Sequence, residues 1–482
     1  MADTLVLGPG GNARKGIGME EIVSVMRQRR SQDTYLIRAM IDVRDRYNGD
    51  IIIPLPDVVG QPKLQPPIAQ LLAIAIDNLA RKASEVRPRV TVPNMVPGSK
   101  VAAKHSENTR RAIQANWEYN QLWDLKLARS YRHMWGYGTN AFMVMPEFRD
   151  GRARIEIRDP LTAYPELRVQ DDVRPAENCG FIFGRSMDWL VSHYPQTKTY
   201  FSNSSGHQWD TIWDVVEWVD SEMIVMGIMG PRNPAYMASD SRPYAYSAFE
   251  LGRWENKAGM CTAVVPRRLT LDRIQSALTP LIGTYDLVSR IASLQLIAGE
   301  KSVFPDLAVI GRDPSTPPTI ASHDGNWQDG RTGEANILQN VASVQFLESR
   351  ASPETQQLME QLMNVIQTSG GASSLFQGEN PDSLRTGRAI STMSSFSIDP
   401  LINEVQKIQQ RALESVNTAM LEVELGYFGS RKIVGFTGLA GDRGVVEYVP
   451  KEDFISTLNH VSYAIPGADI SQMSVADLLS SN

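Results

Sequence analysis

Apolar residues recur at helical spacing in two stretches of the C-terminal half, residues 281–294 and 358–366. Each stretch follows a hydroxyl residue and a proline, Thr279-Pro280 in the first and Ser352-Pro353 in the second. This pair is typical of a helix start, because the first turn does not need the N–H that proline lacks. Two such helices close together in the chain favour an antiparallel pair.

Glycines predict where these two helices end. Gly299 is expected to close the first helix, and Gly370 the second. The segment between the helices, 300–351, is too long for a plain connection in a compact protein, so we expect a small module with its own secondary structure. A Gly/Ser-rich loop at 370–383 follows the second helix.

The N-terminal part is predicted to be mainly helical. A flexible arm at 1–18 precedes a helical stretch at 19–47. Further helices are expected at 66–84, 103–119 and 121–136. The first of these three is hydrophobic on most sides, which predicts full burial.

Between residues 137 and 268 the hydrophobic period changes from about 3.6 to about 2 residues, which predicts a mostly β region. We expect this region to form a small barrel or a sandwich with open edges. The predicted strands are Ala141–Met145, Arg152–Ile157, Gly180–Phe183, Trp213–Val219, Met223–Ile228 and Met260–Val265.

A long helix is predicted near the C-terminus, from Asp399-Pro400 to about Phe428, because apolar residues recur there at helical spacing after a capping pair. Strands are expected at 431–436 and 444–449, and a short helix at 475–479. Separate helical and strand-rich regions indicate the α+β fold class.

Composition narrows the classes of function. The net charge of −6 lacks the excess of Lys and Arg with which proteins hold DNA phosphates, which argues against tight DNA binding by the whole surface. The two cysteines, Cys179 and Cys261, lie in predicted strands, so we expect small buried thiols in a reducing compartment. The chain shows no signal-peptide pattern and no apolar run long enough to span a bilayer.

Motifs for catalysis are missing from the sequence. It contains no Gly-Lys dipeptide and therefore no P-loop, no Gly-x-Ser-x-Gly elbow, and no two histidines within five residues of each other. We therefore expect no catalytic residues, no cofactor and no metal. A soluble enzyme with a site assembled from distant residues of the β-rich region remains an alternative.

One segment has an unusual charge distribution. Residues 352–383 contain four acidic residues and no Lys or Arg. A surface with few cations suits a polyanion that slides past it, because each Lys or Arg would hold a phosphate. The other interpretation is an ordinary solvated helix followed by a surface loop.

In three short sequence segments the chain resembles the portal proteins of tailed bacteriophages. They are the sequence RPRVTVP at 87–93 after a buried helix, the run from Arg129 to Met145 where a helix meets a sheet, and the segment with an aspartate-proline pair from Arg158 to Glu166. The likeness covers residues 30–430 and rests on the order of elements more than on one motif.

The resemblance implies the architecture of a portal: a wing, a helical stem hairpin, a small α/β clip, a loop in the channel and a long helix leading to a short crown. By position, these parts are the wing (19–275, helical at 19–136 and β-rich at 137–268), the stem (276–299 and 352–369), the clip (300–351), the tunnel loop (370–383), the long helix (384–428) and the crown (429–482).

The resemblance also implies a function. Portal proteins form a ring of about twelve identical subunits at one capsid vertex, through which DNA is packaged, retained and ejected. The implied partners are further copies of the chain, double-stranded DNA, the terminase large subunit, a head–tail adaptor, the major capsid protein and a scaffold protein. The implied location is the virion, after assembly in the host cytoplasm, with no enzymatic activity and no membrane.

Candidate site residues follow from position within this architecture. Those facing DNA are Ser373, Ser374, Gln377, Glu379 and Asn380 on the tunnel loop, with Glu354 and Glu360 on the stem. Those contacting DNA or a neighbouring subunit at or near the clip are Lys301, Arg312, Arg331, Arg385 and Arg388. A different head–tail or minor capsid component that shares the helical hairpin is the structural alternative.

Overall fold

The computed structural model describes residues 16–50, 71–85, 88–94, 96–169, 173–202, 211–232, 247–271, 273–303, 306–311, 319–321, 337–339, 341–347, 357–358, 360–362, 400–437, 443–454 and 460–463. It contains both helices and antiparallel sheets, which confirms the α+β fold class.

The helices are α1 (Met19–Gln32), α2 (Thr34–Asn48), α3 (Leu71–Glu85), α4 (Lys100–Tyr119), α5 (Leu127–Tyr137), α6 (Met187–His193), α7 (Thr197–Ser202), α8 (Ile282–Val303), α9 (Pro400–Tyr427) and α10 (Pro450–Asp453). The strands are β1 (Pro88–Thr91), β2 (Ala141–Glu147), β3 (Arg152–Arg158), β4 (Ala163–Glu166), β5 (Asn178–Ser186), β6 (Ile212–Val219), β7 (Met223–Pro231), β8 (Phe249–Glu255), β9 (Ala263–Val264), β10 (Asp306–Gly311), β11 (Thr319–Ala321), β12 (Ile337–Gln339), β13 (Val341–Leu347), β14 (Lys432–Thr437), β15 (Arg443–Tyr448) and β16 (His460–Tyr463).

The chain divides into two compact units. The first consists of Met1–Arg44, Ile76–Thr279 and Asn380–Asn482, and the second of Asp45–Ala75 and Pro280–Glu379. The boundary between Thr279 and Pro280 falls where the capping pair predicts the first stem helix to begin.

The long helix α9 lies at the centre of the first unit. It starts at Pro400, as predicted, and packs across the three-stranded sheet β3-β2-β9. Apolar residues on its broad inner face, among them Leu413, Val416 and Val423, are fully buried, whereas Lys407 and Arg411 on the outer side are exposed. A helix with such a face packs that face into the core.

Polar side chains inside this core are paired across elements. The Trp117 indole on α4 donates to Asn417 Oδ1 on α9 at 2.7 Å. The Tyr448 hydroxyl on β15 donates to Glu424 Oε2 at 2.9 Å, and Lys432 Nζ lies 3.3 Å from the same carboxylate. These bonds fix α4 and the C-terminal strands to α9.

The five-stranded sheet β4-β5-β6-β7-β8 is covered on both faces. Trp218 of β6 packs in a cluster with Met26 of α1, whereas Val215 of the same strand packs with Leu190 of α6. Successive side chains of a strand point to opposite faces, so a strand covered on both faces is apolar almost throughout. This explains the continuous burial of β6 after its first residue.

The two acidic residues of β6 are buried but paired with arginines. Arg158 Nη1 lies 2.7 Å from Glu217 Oε2, and Arg232 Nε lies 2.6 Å from Asp214 Oδ1. Breaking such a buried pair is costly because one charge stays in the core alone.

The β-rich region differs from the sequence prediction in three ways. Its sheets are open, with three and five strands, so the barrel expectation is wrong. The predicted strand Met260–Val265 shrinks to β9, and two further strands, β4 and β8, form the edges of the larger sheet. Five of the six predicted strands are present, each longer by one to five residues.

The N-terminal helical prediction is confirmed with one interruption. The stretch 19–47 forms α1 and α2, which are separated at Asp33. Gly49, with φ +80°, forms a turn after α2, because this backbone conformation suits glycine. The expectation that helix α3 is fully buried is wrong, since Ile74 is 55% exposed. Residues 1–15 of the predicted arm lie outside the described residues.

The C-terminal strands 431–436 and 444–449 are confirmed as β14 and β15. This hairpin packs on α4 through Val434, Val446 and Tyr448, and β16 pairs with β1. The described part of segment 429–482, expected from the resemblance to be a crown, therefore lies in the same unit as the predicted wing. The predicted helix 475–479 lies outside the described residues.

Asn417 tests the paired core of α9. In Asn417→Ala the Trp117 N–H loses its acceptor and a cavity forms, so we expect the free energy of unfolding to fall by about 2–4 kcal/mol. The matched control is Thr418→Ala, whose partly exposed hydroxyl donates to Glu414 O of its own helix; the expected loss is below about 1 kcal/mol. Urea denaturation measures both, and equal losses would contradict the assignment.

Candidate functional site

Helix α8 corresponds to the first helix of the predicted stem. A 3-10 turn at Thr279–Leu281 leads into it, so the predicted start is confirmed. It continues through Gly299 to Val303, so the predicted end is wrong. A glycine in a helix interior costs about 1 kcal/mol, which is too little to end a long helix.

One face of α8 is buried. Ile282, Tyr285, Val288 and Ile291 recur at intervals of three residues and are nearly inaccessible. Burial raises the pKa of the Tyr285 phenol to about 12, so this group is neutral at physiological pH. This face matches the apolar pattern that predicted the helix.

A forked ion pair holds α8 against the end of α2 within the second unit. Arg46 Nε lies 3.0 and 3.1 Å from the two carboxylate oxygens of Asp286, and Arg46 Nη2 lies 2.8 Å from Asp286 Oδ2. A planar guanidinium and a carboxylate in this arrangement restrict orientation as well as distance. No local sequence pattern predicts this pair, because its members are 240 residues apart.

The opposite face of α8 is exposed and partly apolar. Gly283, Leu287, Arg290 and Leu294, spaced by four, three and four residues, form a stripe that we call the Leu287 stripe. Leu287 is 42% and Leu294 is 36% exposed. Leu294 belongs to the apolar pattern that predicts the helix, but it lies on this exposed face. Leucines on both sides of a helix are the signal from which a second contact face is expected.

The segment 300–351 forms a module with its own secondary structure, as predicted. After the end of α8, strand β10 pairs antiparallel with β13, and inside this pair β11 pairs with β12. Asp306 is opposite Leu347, so the chain leaves the module beside the point where it entered. This pairing brings the end of β13 beside the start of β10, and helical residues follow at 357–358.

The described part of the second stem helix is short. Residues 357–358 and 360–362 are helical, and Leu358 is 44% exposed. Glu360, a predicted DNA-facing residue, is exposed on this helix. Apolar and acidic side chains therefore share the accessible surface of this segment.

Two of the predicted site residues fall within the described residues. Lys301 lies in the last turn of α8, and Glu360 lies on the second helix. The others lie outside the described residues: Glu354, Ser373, Ser374, Gln377, Glu379, Asn380, Arg312, Arg331, Arg385 and Arg388. Their roles remain predictions from the resemblance.

The alternative of a dispersed catalytic site concerns the titratable groups in and next to the β-rich region. Cys179 and Cys261 are buried and unpaired, and burial raises the pKa of both thiols, that of Cys261 to about 12. Burial, with nearby arginines, lowers the pKa of His133 to about 3, so this imidazole is neutral. These groups are poor nucleophiles and acids at physiological pH.

The described part of the chain shows neither a cluster of metal-ligating side chains nor a helix suited to cross a membrane. Within it, no group of three or more His, Cys, Asp or Glu side chains is arranged to hold a metal ion. No helix in this part combines the length and the apolar character that crossing a bilayer requires.

Comparison with known proteins does not identify a family. No protein-family model matches the chain, and no curated protein matches it at a significant level.

The two thiols provide a test of the catalytic alternative. We expect iodoacetamide at pH 8 to alkylate Cys179 and Cys261 at least about 100-fold more slowly in the folded protein than in denaturant, because burial disfavours the thiolate. Peptide mass spectrometry measures the extent at each residue. Rapid alkylation of either cysteine in the folded protein would contradict the structural role and favour a catalytic one.

Proposed function

We propose that this chain is a portal protein of a tailed bacteriophage. In this proposal, about twelve copies form a ring at one vertex of the capsid, and double-stranded DNA passes through the central channel. The ring is also the docking platform for the packaging motor and the tail. The chain itself carries out no chemistry.

The observation that carries the proposal is the helix–module–helix unit of residues 280–379. Helix α8 runs into β10, and the pairing of β10 with β13 returns the chain to its starting point before a second helical segment. A stem hairpin with a clip at its tip has this order of elements. The resemblance in the wing, at Arg129 to Met145 and Arg158 to Glu166, adds independent support.

The Leu287 stripe supports assembly into a ring. In a single copy, Leu287 and Leu294 remain partly in water, although the opposite face of the same helix is buried. A neighbouring copy would cover them, at about 25 cal/mol for each Å² of apolar surface removed from water. Repeating such a heterologous contact by rotation closes a ring.

The charge of residues 352–383 supports a channel surface. This segment carries Glu354, Glu360, Glu379 and Asp382 but no cation, and Glu360 is exposed. Weak repulsion between a carboxylate surface and DNA phosphates prevents binding that would stop the movement of the duplex. Salt limits the range of this repulsion to about 8–10 Å, so it acts only on DNA close to the wall.

Mass measurement is the primary test. We expect purified protein to assemble into particles of about twelve copies of the 53.6 kDa chain, and electron micrographs to show rings with a central hole. A monomer, dimer or tetramer under all assembly conditions would favour the soluble enzyme. A closed ring without a hole would favour another head–tail component.

The Leu287 stripe gives a second test. The double variant Leu287→Glu with Leu294→Glu places charges in the proposed contact, so we expect the fraction of protein in rings to fall at least about tenfold. The matched control is Leu125→Glu, at a leucine of the first unit that is 65% exposed, and it should assemble normally. Size-exclusion chromatography measures assembly, and circular dichroism checks the fold. Normal rings in the double variant would show that this stripe is not the contact.

The predicted tunnel loop gives a third test. We expect a deletion of residues 371–380 to leave ring assembly unchanged and to impair DNA packaging or retention, because the ring contact is placed on α8. Packaged DNA per particle is measured after nuclease treatment. Loss of rings in this deletion would place the loop in the subunit interface.

A further inference from the structure

The outer strands of the two larger sheets each have one edge without a neighbouring strand in the described part of the chain. These strands are β3 and β9 in the three-stranded sheet, and β4 and β8 in the five-stranded sheet. Unpaired N–H and C=O groups along such an edge can bind a strand of another chain, which makes edges a source of aggregation. What occupies each edge therefore decides whether two copies can pair through their sheets.

A side-chain amide occupies the edge of β3 in the way that a neighbouring strand would. Ile155 N–H donates to Asn120 Oδ1 at 2.7 Å, and Asn120 Nδ2 donates to Ala153 O at 3.0 Å. A carboxamide holds a donor and an acceptor side by side, so one side chain can satisfy an N–H and a C=O of the same strand. Lys126 Nζ donates to Ile155 O at 2.5 Å. Side chains thus bind three edge groups of β3.

An unusual backbone turn holds Asn120 and Lys126 beside this edge. Asn120 is the C-cap of α4, Gln121 has φ 51°, and Leu122–Lys126 form a π-helix. Gln121 is the one non-glycine residue with positive φ in the described part of the chain. Such a conformation costs free energy and persists where surrounding contacts favour it. The bonds of the buried Asn120 amide to β3 are contacts of this kind.

The other three edges also accept hydrogen bonds from elements outside their sheets. These bonds run from Arg29 to Tyr164 O of β4, from Gln196 to Leu251 O of β8, and from Ala176 N–H to Ala263 O of β9. Each of them occupies a carbonyl, whereas Asn120 occupies both a carbonyl and an N–H of its edge. Removing one side chain therefore opens more of the β3 edge than of the others.

We propose that Asn120 closes the β3 edge against strand addition, so that copies of this chain do not pair through this sheet. Without the amide, Ile155 N–H and Ala153 O lose their partners, and buried backbone groups without partners are costly. A strand of a second copy would satisfy both groups. Such closure would serve a portal subunit and a soluble enzyme equally.

The β3 strand of a second copy fits this edge best. In an antiparallel pair of two β3 strands with Ile155 opposite Ile155, Arg154 of each copy lies opposite Glu156 of the other. Opposite charges in directly facing positions stabilise such a pair. Both copies also present the same edge groups, so the backbone bonds are mutual. The association expected on opening the edge is therefore self-association.

The variant Asn120→Ala of the full chain tests this closure. Light scattering follows association, with each protein held at the same interval below its own thermal midpoint. We expect Asn120→Ala to associate at least about tenfold faster than the unaltered chain. Hydrogen exchange measured by mass spectrometry should show residues 152–158 losing protection in dilute solution and regaining it as the concentration rises. Regained protection distinguishes strand pairing from a simple loss of stability.

A matched control separates edge closure from the loss of a buried amide. Asn116→Ala removes another buried amide of α4, whose Nδ2 donates to Ala112 O of the same helix. This variant should associate like the unaltered chain and keep the protection of residues 152–158. Association of Asn120→Ala no faster than that of Asn116→Ala, or association without regained protection at 152–158, would overturn the proposal. If Asn120→Ala does not fold, Lys126→Met replaces it, with an expected increase of about threefold; an unchanged rate would overturn the proposal.

Discussion

The burial of the broad inner face of helix α9 is the constraint on which the first unit depends. Polar side chains on this face have no access to water, so each of them requires a protein partner. Asn417 and Glu424 find theirs on α4 and on the C-terminal hairpin. The end of the helix is equally restricted, because a Cβ on Gly426 would lie 2.1 Å from the carbonyl oxygen of Lys257. The helix thus joins segments from both ends of the chain into one core.

The second unit is organised by strand pairing in place of a central helix. A long segment between two helices closes at an entropic cost that grows only slowly with its length. The pairs β10–β13 and β11–β12 add backbone hydrogen bonds that offset this cost. The module therefore ends beside the point where it begins, as the tip of a helical hairpin requires. Helix α8 has one buried face and one accessible face.

Elements with strong periodicity and capping residues were predictable from the sequence. Each of these signals is confined to a few neighbouring residues. Examples are the proline at the start of α9, the alternation in β14 and β15, and the hydroxyl-proline pair before α8. The missed strands, β4 and β8, are the two edges of their sheet, where one side lacks a neighbouring strand and the hydrophobic pattern is correspondingly weak. A local pattern also did not reveal that α8 continues through Gly299.

The candidate sites were less predictable because their partners are distant in sequence. Arg46 and Asp286 meet across 240 residues, and Arg158 meets Glu217 across 59 residues. The sequence indicated the charge of residues 352–383 and the helix of the Leu287 stripe, but it did not indicate which faces stay in water.

These accessible faces bear on how copies of an acidic chain associate. Each copy carries a net charge of −6, so identical copies repel one another at long range. Salt screens that repulsion beyond about 8–10 Å, whereas apolar contact acts at the surface itself and is not screened. A ring of such chains therefore requires contacts in which apolar side chains meet, with few unpaired carboxylates between them. Leu287 and Leu294, with a single cation, Arg290, between them, meet this requirement on α8. In the proposed ring, the acidic residues of 352–383 would then face the channel, where repulsion of a polyanion serves its movement.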